Sequence, residues 1–308
     1  MKREIVTYIL MSIVLCCSCA EETKKTEIIT EKTPLANLLP YESDIVYKGN
    51  IVFSTQEQID DFERGGYTFI DGNITISSQD YKDNYDIENV NSFNKLISIN
   101  GDLNIVHLKN LKSLQGFDNL EVVNGDFSFS SNYNEKEKSF KKLEKINGDI
   151  YFGTNEKKFE GLNSIKTAKN IYLVGMDSEK SEIFHNLRTA KEIYIDHASV
   201  DSINFFPNLQ KVETNMTFEY SPNLTYINLP KLEEVGGYFG LTNVPNFEKF
   251  NIPNIKRINN LIIFLDDDNW KRYCFISKYI KDNKIDTVDI RGTLLNISKK
   301  DFILECEK

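Results

Sequence analysis

Histidine is scarce in this chain: His107, His185 and His197 are the only three, and none has HxxxH or other metal-ligand spacing. No GxSxG elbow, P-loop or GxGxxG run occurs, which removes the common signatures of serine hydrolases, nucleoside triphosphatases and dinucleotide enzymes. Positive charge is also short. Against 46 Asp and Glu stand 37 Lys and Arg, a net charge of -9. Such a chain repels nucleic acid and anionic headgroups, so neither is an expected partner. Beyond Leu15 no apolar run is long enough to cross a bilayer as a helix. The densest oxygen cluster, Asp266-Asp267-Asp268-Asn269, would suit a hard cation such as calcium, but it lacks the alternating ligand spacing of an EF-hand. Solvated turn residues that also cap a helix at Trp270 are the preferred reading. No catalytic residue, metal or cofactor is therefore assigned.

The N-terminus carries what the rest lacks. Lys2 and Arg3 precede an apolar run from Ile5 to Leu15, too short for a stable span and suited to a signal segment. Leu15-Cys16-Cys17-Ser18-Cys19 follows. It resembles the lipobox of bacterial lipoproteins, in which a small residue precedes the acylated cysteine. Ser18 fits before Cys19. The Leu preferred three residues upstream is Cys16 here, so Cys17, with Val14 upstream, is a second choice. Residues 1–18 are read as a lipoprotein signal peptide and Cys19 as the lipidation site. Losing Lys2, Arg3 and Glu4 leaves the remainder near -10. Ala20-Glu21-Glu22 resembles the surface-export signal of some Gram-negative lipoproteins. That points to an outer-membrane, lipid-anchored and surface-exposed protein, with the periplasmic face as the alternative. Residues 19–45, rich in Lys, Glu and Thr and lacking an apolar period, read as a flexible tether. Outside the signal region only Cys274 and Cys306 remain. They can form a disulfide in an exported chain or stay as two buried thiols; spacing does not decide.

From residue 69 a pattern recurs. Leu96-Ile97-Ser98-Ile99-Asn100-Gly101-Asp102-Leu103-Asn104-Ile105 is followed by LEVVNGDFSF at 120–129 and LEKINGDIYF at 143–152, with looser copies to 264. The first inward residues are read as Ile74, Leu103, Phe127, Ile150, Ile171, Ile193, Met216, Phe239 and Ile262. Their spacings are 29, 24, 23, 21, 22, 23, 23 and 23, a period expected of a solenoid. Each copy offers a short strand of alternating residues that cannot bury its apolar face alone; parallel stacking completes the core. The glycines of the Gly-Asp steps, Gly101, Gly125 and Gly148, are expected at the bend entering each strand, where a positive φ would explain them. Ser54-Thr55-Gln56-Glu57 matches a helix capping box, with Ile59 and Phe62 inward. Residues 46–68 are then an N-terminal cap, 69–265 the repeats and 266–308 a C-terminal cap with a helix over Trp270 to Lys281.

The phrase L-x-x-I-x-G-D-Φ-x-Φ, with Leu114-Gln115-Gly116-Phe117-Asp118-Asn119-Leu120 between copies, resembles the receptor L domain. The resemblance covers roughly residues 50–265, is sharpest over 96–152, and weakens over 165–195, where the Gly-Asp step is lost. It implies a mainly β fold, a right-handed β-helix or leucine-rich-repeat-like solenoid with short helical caps at both ends. It also implies non-catalytic recognition. No functional residue carries over, because these domains bind through differing surfaces.

The candidate site is the outward face of the strands. Their middle residues are read as Thr75, Asn104, Ser128, Tyr151, Tyr172, Tyr194, Thr217, Gly240 and Ile263, so Tyr151, Tyr172 and Tyr194 should stack on adjacent strands about 4.8 Å apart. Beside them runs Asn73, Asp102, Asp126, Asp149, Asn170, Glu192 and Asn215. Tyrosines flanked by Asp149, Asn170 and Glu192 suit a glycan or a basic peptide. The competing reading is ordinary ladder packing, with the aspartates closing turns. These two rows hold no Lys or Arg, which argues against a polysaccharide lyase, and repeated aspartates look like a turn habit more than a hydrolytic pair. A surface recognition or adhesion module binding a protein or glycan is the leading expectation. A structural or accessory subunit of an outer-membrane complex is second, and a β-helical polysaccharide-degrading enzyme third.

Overall fold

Period-two alternation does what the repeat requires. In the Ile150–Gly153 strand, Ile150 and Phe152 are buried and Tyr151 faces out. The same pattern recurs in Leu103–Val106 and Phe127–Ser130. The computed structural model describes residues 45–77, 86–130, 138–153, 159–177, 182–265, 270–282, 284–292 and 296–308. The signal segment, Cys19, the tether up to residue 44 and the Asp266–Asn269 cluster lie outside the described residues.

The described chain is mainly β, with few helices. Its principal sheet has 13 strands and runs in sequence order from Ile51–Phe53 to Ile285–Arg291 before a final short strand. Smaller sheets lie beside it: one of five strands and two of three. Along the chain, strands of the long sheet alternate with strands of the smaller ones. Pairing is parallel throughout the described residues except for Asn296–Ile297, which runs antiparallel to Ile285–Arg291. Parallel neighbours one repeat apart place equivalent residues side by side: Ile150 pairs with Phe127 on one side and Ile171 on the other.

The Gly-Asp step accompanies strand breaks in the early repeats, although Lys211–Val212 and Met216–Glu219 separate without one. Where it is present, a two-residue strand in the small sheet (Ser98–Ile99) is separated from the long-sheet strand (Leu103–Val106). Where it is lost, the two fuse into the eight-residue strands Thr167–Val174 and Thr189–Asp196. Gly236 and Gly237 restore an irregularity inside Glu234–Thr242, where the register shifts between Val235 and Tyr238.

The three Gly-Asp glycines stand at the bends entering Leu103–Val106, Phe127–Ser130 and Ile150–Gly153, as expected, but not because of a positive φ. Gly101, Gly125 and Gly148 lie outside the left-handed region. Their cause is proximity: a Cβ on Gly125 would stand 2.1 Å from Asp102 Oδ1 and 2.6 Å from the Gly101 carbonyl carbon. Glycine is needed because the preceding repeat lies against it.

Two further expectations shift by one residue. In the last repeat the spacing places Ile262 inward and Ile263 outward. Phe239 instead pairs with Leu261, Leu261 and Ile263 are fully buried, and Ile262 takes the outward place. Ile262 and Ile263 are both apolar, so hydropathy alone cannot set their phase. The capping box is Thr55 with Gln58, not Ser54 with Glu57. Gln58 N donates to Thr55 Oγ1, and the Thr55 amide donates to Gln58 Oε1. Ile59 of this Gln56–Phe62 helix is fully buried and Phe62 partly so.

The core is one continuous cluster built of columns. Phe93, Phe117 and Phe140 stack in series, with ring centroids 5.0 and 5.6 Å apart and planes within 12°. Burying each such ring contributes about 1.5–3 kcal/mol. Toward the C-terminus, a 3-10 turn over Trp270–Ile276 leads into the helix Ser277–Lys281. Cys274 and Cys306 are joined in a disulfide, tying this turn to the final helix Lys299–Cys306.

Candidate functional site

Strand register builds the tyrosine row directly. Tyr151 pairs with Tyr172, and Tyr172 with Tyr194. The first two rings stack with centroids 4.9 Å apart and planes 7° off parallel. Tyr194 tilts by 57° at 6.2 Å. It turns because its hydroxyl donates to Glu219 Oε2, 3.2 Å away. Tyr151 is exposed at 41%, and Tyr172 and Tyr194 are half-buried.

The neighbouring acidic row has a second task. Asn73 Oδ1 accepts from the Asp102 amide, Asp102 Oδ1 from the Asp126 amide, and Asp126 Oδ1 from the Asp149 amide, all at 2.7–2.8 Å. Asp149 Oδ1 then accepts from Asn170 Nδ2 at 3.0 Å, and Glu192 Oε1 from Asn215 Nδ2 at 3.3 Å. The row therefore closes the turns that hold adjacent repeats together, and each carboxylate keeps its remaining acceptor capacity for the face. A parallel ladder runs from Asn147 through Asn124 and Asn100 to Asp71 at the neighbouring bend.

The charge of this face shows in the phenols. Burial, then Asp149, then Tyr172 push the Tyr151 hydroxyl up to about 12. Tyr172 is raised by burial, Asp149 and Glu192, and Tyr194 by burial, Glu219 and Asp196. Tyr238 joins them from the row beyond Asn215, raised by burial, Glu192 and Glu219. Asp126, Asp149, Glu192 and Glu219 add to burial in holding these protons, so carboxylate charge lies close to the rings.

The strands carry a third outward row that alternation over three residues does not announce. It is the fourth residue of each strand: Ser77, Val106, Ser130, Gly153, Val174, Asp196, Glu219, Thr242, Phe264 and Arg291. The available signal was the four-residue strand length, which adds one more outward place after the inward pair. This row does contain a cation. Arg291 sits over the Phe264 ring, its Cζ 5.7 Å from the centroid, and bonds Asp289 through Nε at 2.8 Å. Asp196 and Glu219 are register partners. Asp196 is only 8% exposed and meets His197 Nδ1 at 2.7 Å. Burial raises both carboxyl pKa values, opposed at Asp196 by His197 and at Glu219 by the Tyr194 hydrogen bond.

Beyond several of the long-sheet strands the chain turns a corner through a left-handed residue. His107, His197, Tyr220 and Asn243 have φ of 60°, 52°, 44° and 53°. The last three line a cavity of about 300 Å³ with Pro222, Val244, Pro245, Phe264, Leu265 and Arg272. Strain held at such positions marks candidate sites. Among the described residues no three His, Cys, Asp or Glu side chains are grouped to hold a metal ion. Among them too, no helix is long and apolar enough to cross a membrane.

The receptor L domain family model matches residues 68–160. This stretch is receptor L domain-like. It spans the repeats of Gly101, Gly125 and Gly148 and contains Tyr151. The match stops before Tyr172, Tyr194 and the corner cavity. No curated protein and no solved structure matches the chain.

Proposed function

We propose that this protein is a non-catalytic recognition lipoprotein that binds a basic segment of a protein ligand across the outward face of its long sheet. The observation that carries this reading is the Tyr151–Tyr172 stack, at 4.9 Å and 7°, within reach of Asp149, Asp126 and Glu192. Tyr172 covers one face of Tyr151 and leaves the other toward the short Ser128, so that open face together with the nearby carboxylates favours a Lys or Arg side chain, through cation–π attraction and ion pairing. Negative potential speeds the encounter with a basic partner. The receptor L domain likeness supports ligand binding without chemistry, and a protein ligand over a glycan.

Parallel strands in sequence order, alternating between sheets, support a solenoid winding for the whole repeat region. Such a winding places one row of outward residues per strand position along a continuous binding face. The signal-like start and Ser18-Cys19 support a lipid anchor on Cys19, and Glu21-Glu22 supports the outer surface. A structural subunit of an outer-membrane complex would leave the tyrosine face without a ligand.

The test uses the full chain and two synthetic peptides of equal length, one rich in Arg and one rich in Glu. The basic peptide should bind and weaken with salt, and the acidic peptide should not. Replacing Tyr151, Tyr172 and Tyr194 together by Ala should keep the circular dichroism spectrum and weaken binding about tenfold or more. Equal affinity for both peptides, or unchanged affinity in the folded variant, would refute the assignment. Mass spectrometry of membrane-extracted protein should find an acylated N-terminal Cys19.

A further inference from the structure

Two exposed rings stand on strand ends two repeats apart, with only short side chains between them. Tyr220 follows Glu219, and Glu219 pairs with Thr242, which pairs with Phe264. Tyr220 and Phe264 are each 38% exposed and line the same cavity. Each ring has one face already covered. His197, from the preceding repeat, stacks on Tyr220 with centroids 5.3 Å apart and planes 25° off parallel. Arg291, from the following repeat, covers Phe264. The intervening repeat contributes Thr242 and Asn243, neither long enough to fill the gap.

The width follows from strand spacing. Two steps of a parallel sheet separate the ring-bearing strands by about 9.5 Å. One flat ring sandwiched between two others needs about 7–8 Å at van der Waals contact, and two rings need well over 10 Å. The gap therefore admits one ring. Pro222, Val244, Pro245 and Leu265 line it with apolar surface, beside Asn243 and Arg272. The walls are held in place. Tyr273 is fully buried and donates to the Val244 carbonyl at 3.2 Å, and the adjacent Cys274 is bonded to Cys306.

We infer that this slot is an anchor site for a single aromatic side chain of the protein ligand. The anchor deepens the function proposed above and rests on the reading of that ligand as a polypeptide. Five strand steps, about 24 Å, separate the Tyr151 strand from the Phe264 strand, a distance that about seven extended residues cover. One segment can thus place basic side chains over the tyrosines and acids and a ring in the slot. Ring anchors seated in preformed pockets carry a large share of interface energy.

The slot can be tested apart from the tyrosine row, with a probe that has no charge. Ligand-observed saturation-transfer NMR on the full chain should detect N-acetylphenylalaninamide and should not detect methyl β-glucopyranoside. Tyr220→Ala and Phe264→Ala should each weaken the probe about tenfold. Thr242→Tyr places a ring inside the gap on a strand residue that tolerates one, so it should abolish the signal while leaving thermal stability unchanged or raised. The Tyr151, Tyr172 and Tyr194 triple variant should bind the probe as the parent does, which separates this site from the tyrosine row. No transfer from the aromatic probe, equal transfer from the pyranoside, or a full signal in folded Thr242→Tyr would overturn the inference.

Discussion

Gly125→Ala adds one methyl group at a place where the preceding repeat leaves no room for it. The new Cβ would lie 2.1 Å from Asp102 Oδ1, 2.6 Å from Gly101 C and 2.7 Å from Asp102 N. Two of these three atoms are backbone and cannot rotate away. Either the repeats part, or the Asp102 carboxylate gives up its 2.8 Å bond from the Asp126 amide as well. Overpacking of this kind costs about 1–3 kcal/mol, and losing a hydrogen bond to a charged group about 1.5–3 kcal/mol. Since relieving one strain partly relieves the other, the expected loss is about 3 kcal/mol. At about 2–4 °C per kcal/mol for a chain of this size, Tm should fall by roughly 6–12 °C. Urea unfolding followed by circular dichroism, with a thermal melt beside it, measures both. Gly153→Ala is the control, since its nearest neighbour is the Val174 carbonyl oxygen at 3.2 Å; a loss below about 1 kcal/mol is expected there. In an Asp102→Ala background the closest obstacle is gone, so the cost of Gly125→Ala should shrink by about 1 kcal/mol. A Gly125→Ala variant within about 0.5 kcal/mol of the parent would refute the close-approach account, and so would a cost indifferent to Asp102.

Replacing Cys274 and Cys306 by Ala opens a closure across 32 residues and should cost about 3.7 kcal/mol on chain-entropy grounds, read as a lower urea midpoint that reductant no longer changes. Asp196 and Glu219 have raised carboxyl pKa values in the folded chain, chiefly from burial, so the protonated forms favour folding. Their contribution is fully present below the ordinary 3.8 and 4.5 and is lost as pH rises through the raised values; Asp196→Asn with Glu219→Gln should remove that slope in stability measured against pH. At the left-handed corners, exposed and buried residues should respond differently to glycine. Tyr220→Gly, at φ 44° and 38% exposed, should change stability by less than about 1 kcal/mol, while Phe184→Gly, at φ 55° but fully buried, should destabilise by about 3 kcal/mol, both by urea unfolding.

The repeat was legible because its energetics are local and recurrent. Ile150-Tyr151-Phe152 declares its two faces by alternation, and copies 21 to 24 residues away repeat the statement, so most registers follow from the spacing. Hydropathy fails where it stops discriminating. Leu261-Ile262-Ile263 offers three apolar residues in a row, and only pairing with Phe239 and Val288 sets which of them face inward. The cause of the Gly-Asp step was hidden for a related reason. A glycine in a sequence signals either unusual φ or unusual proximity, and proximity to a residue 23 or 24 positions earlier has no local signature.

The candidate site was legible to the extent that it repeats the strand pattern. Tyr151, Tyr172 and Tyr194 occupy one column because they share a place in successive copies. The corner cavity is different in kind. Chains that turn through left-handed φ advertise it when glycine or asparagine is used, and Gly175 and Asn243 do so here. At the same corner this chain places His107, His197 and Tyr220, whose side chains disguise the backbone they stand on. Holding such residues in a disfavoured conformation costs about 1–2 kcal/mol each, and glycine would avoid it. At Phe140, Leu162 and Phe184 the return is plain, since each is fully buried in the core. His197 and Tyr220 have no such return. They are largely turned to the surface, stacked on one another beside an apolar gap. His197 instead meets the buried Asp196 carboxylate through Nδ1 at 2.7 Å and backs the Tyr220 ring, so the strained corner both answers a buried charge and supports one wall of the proposed slot.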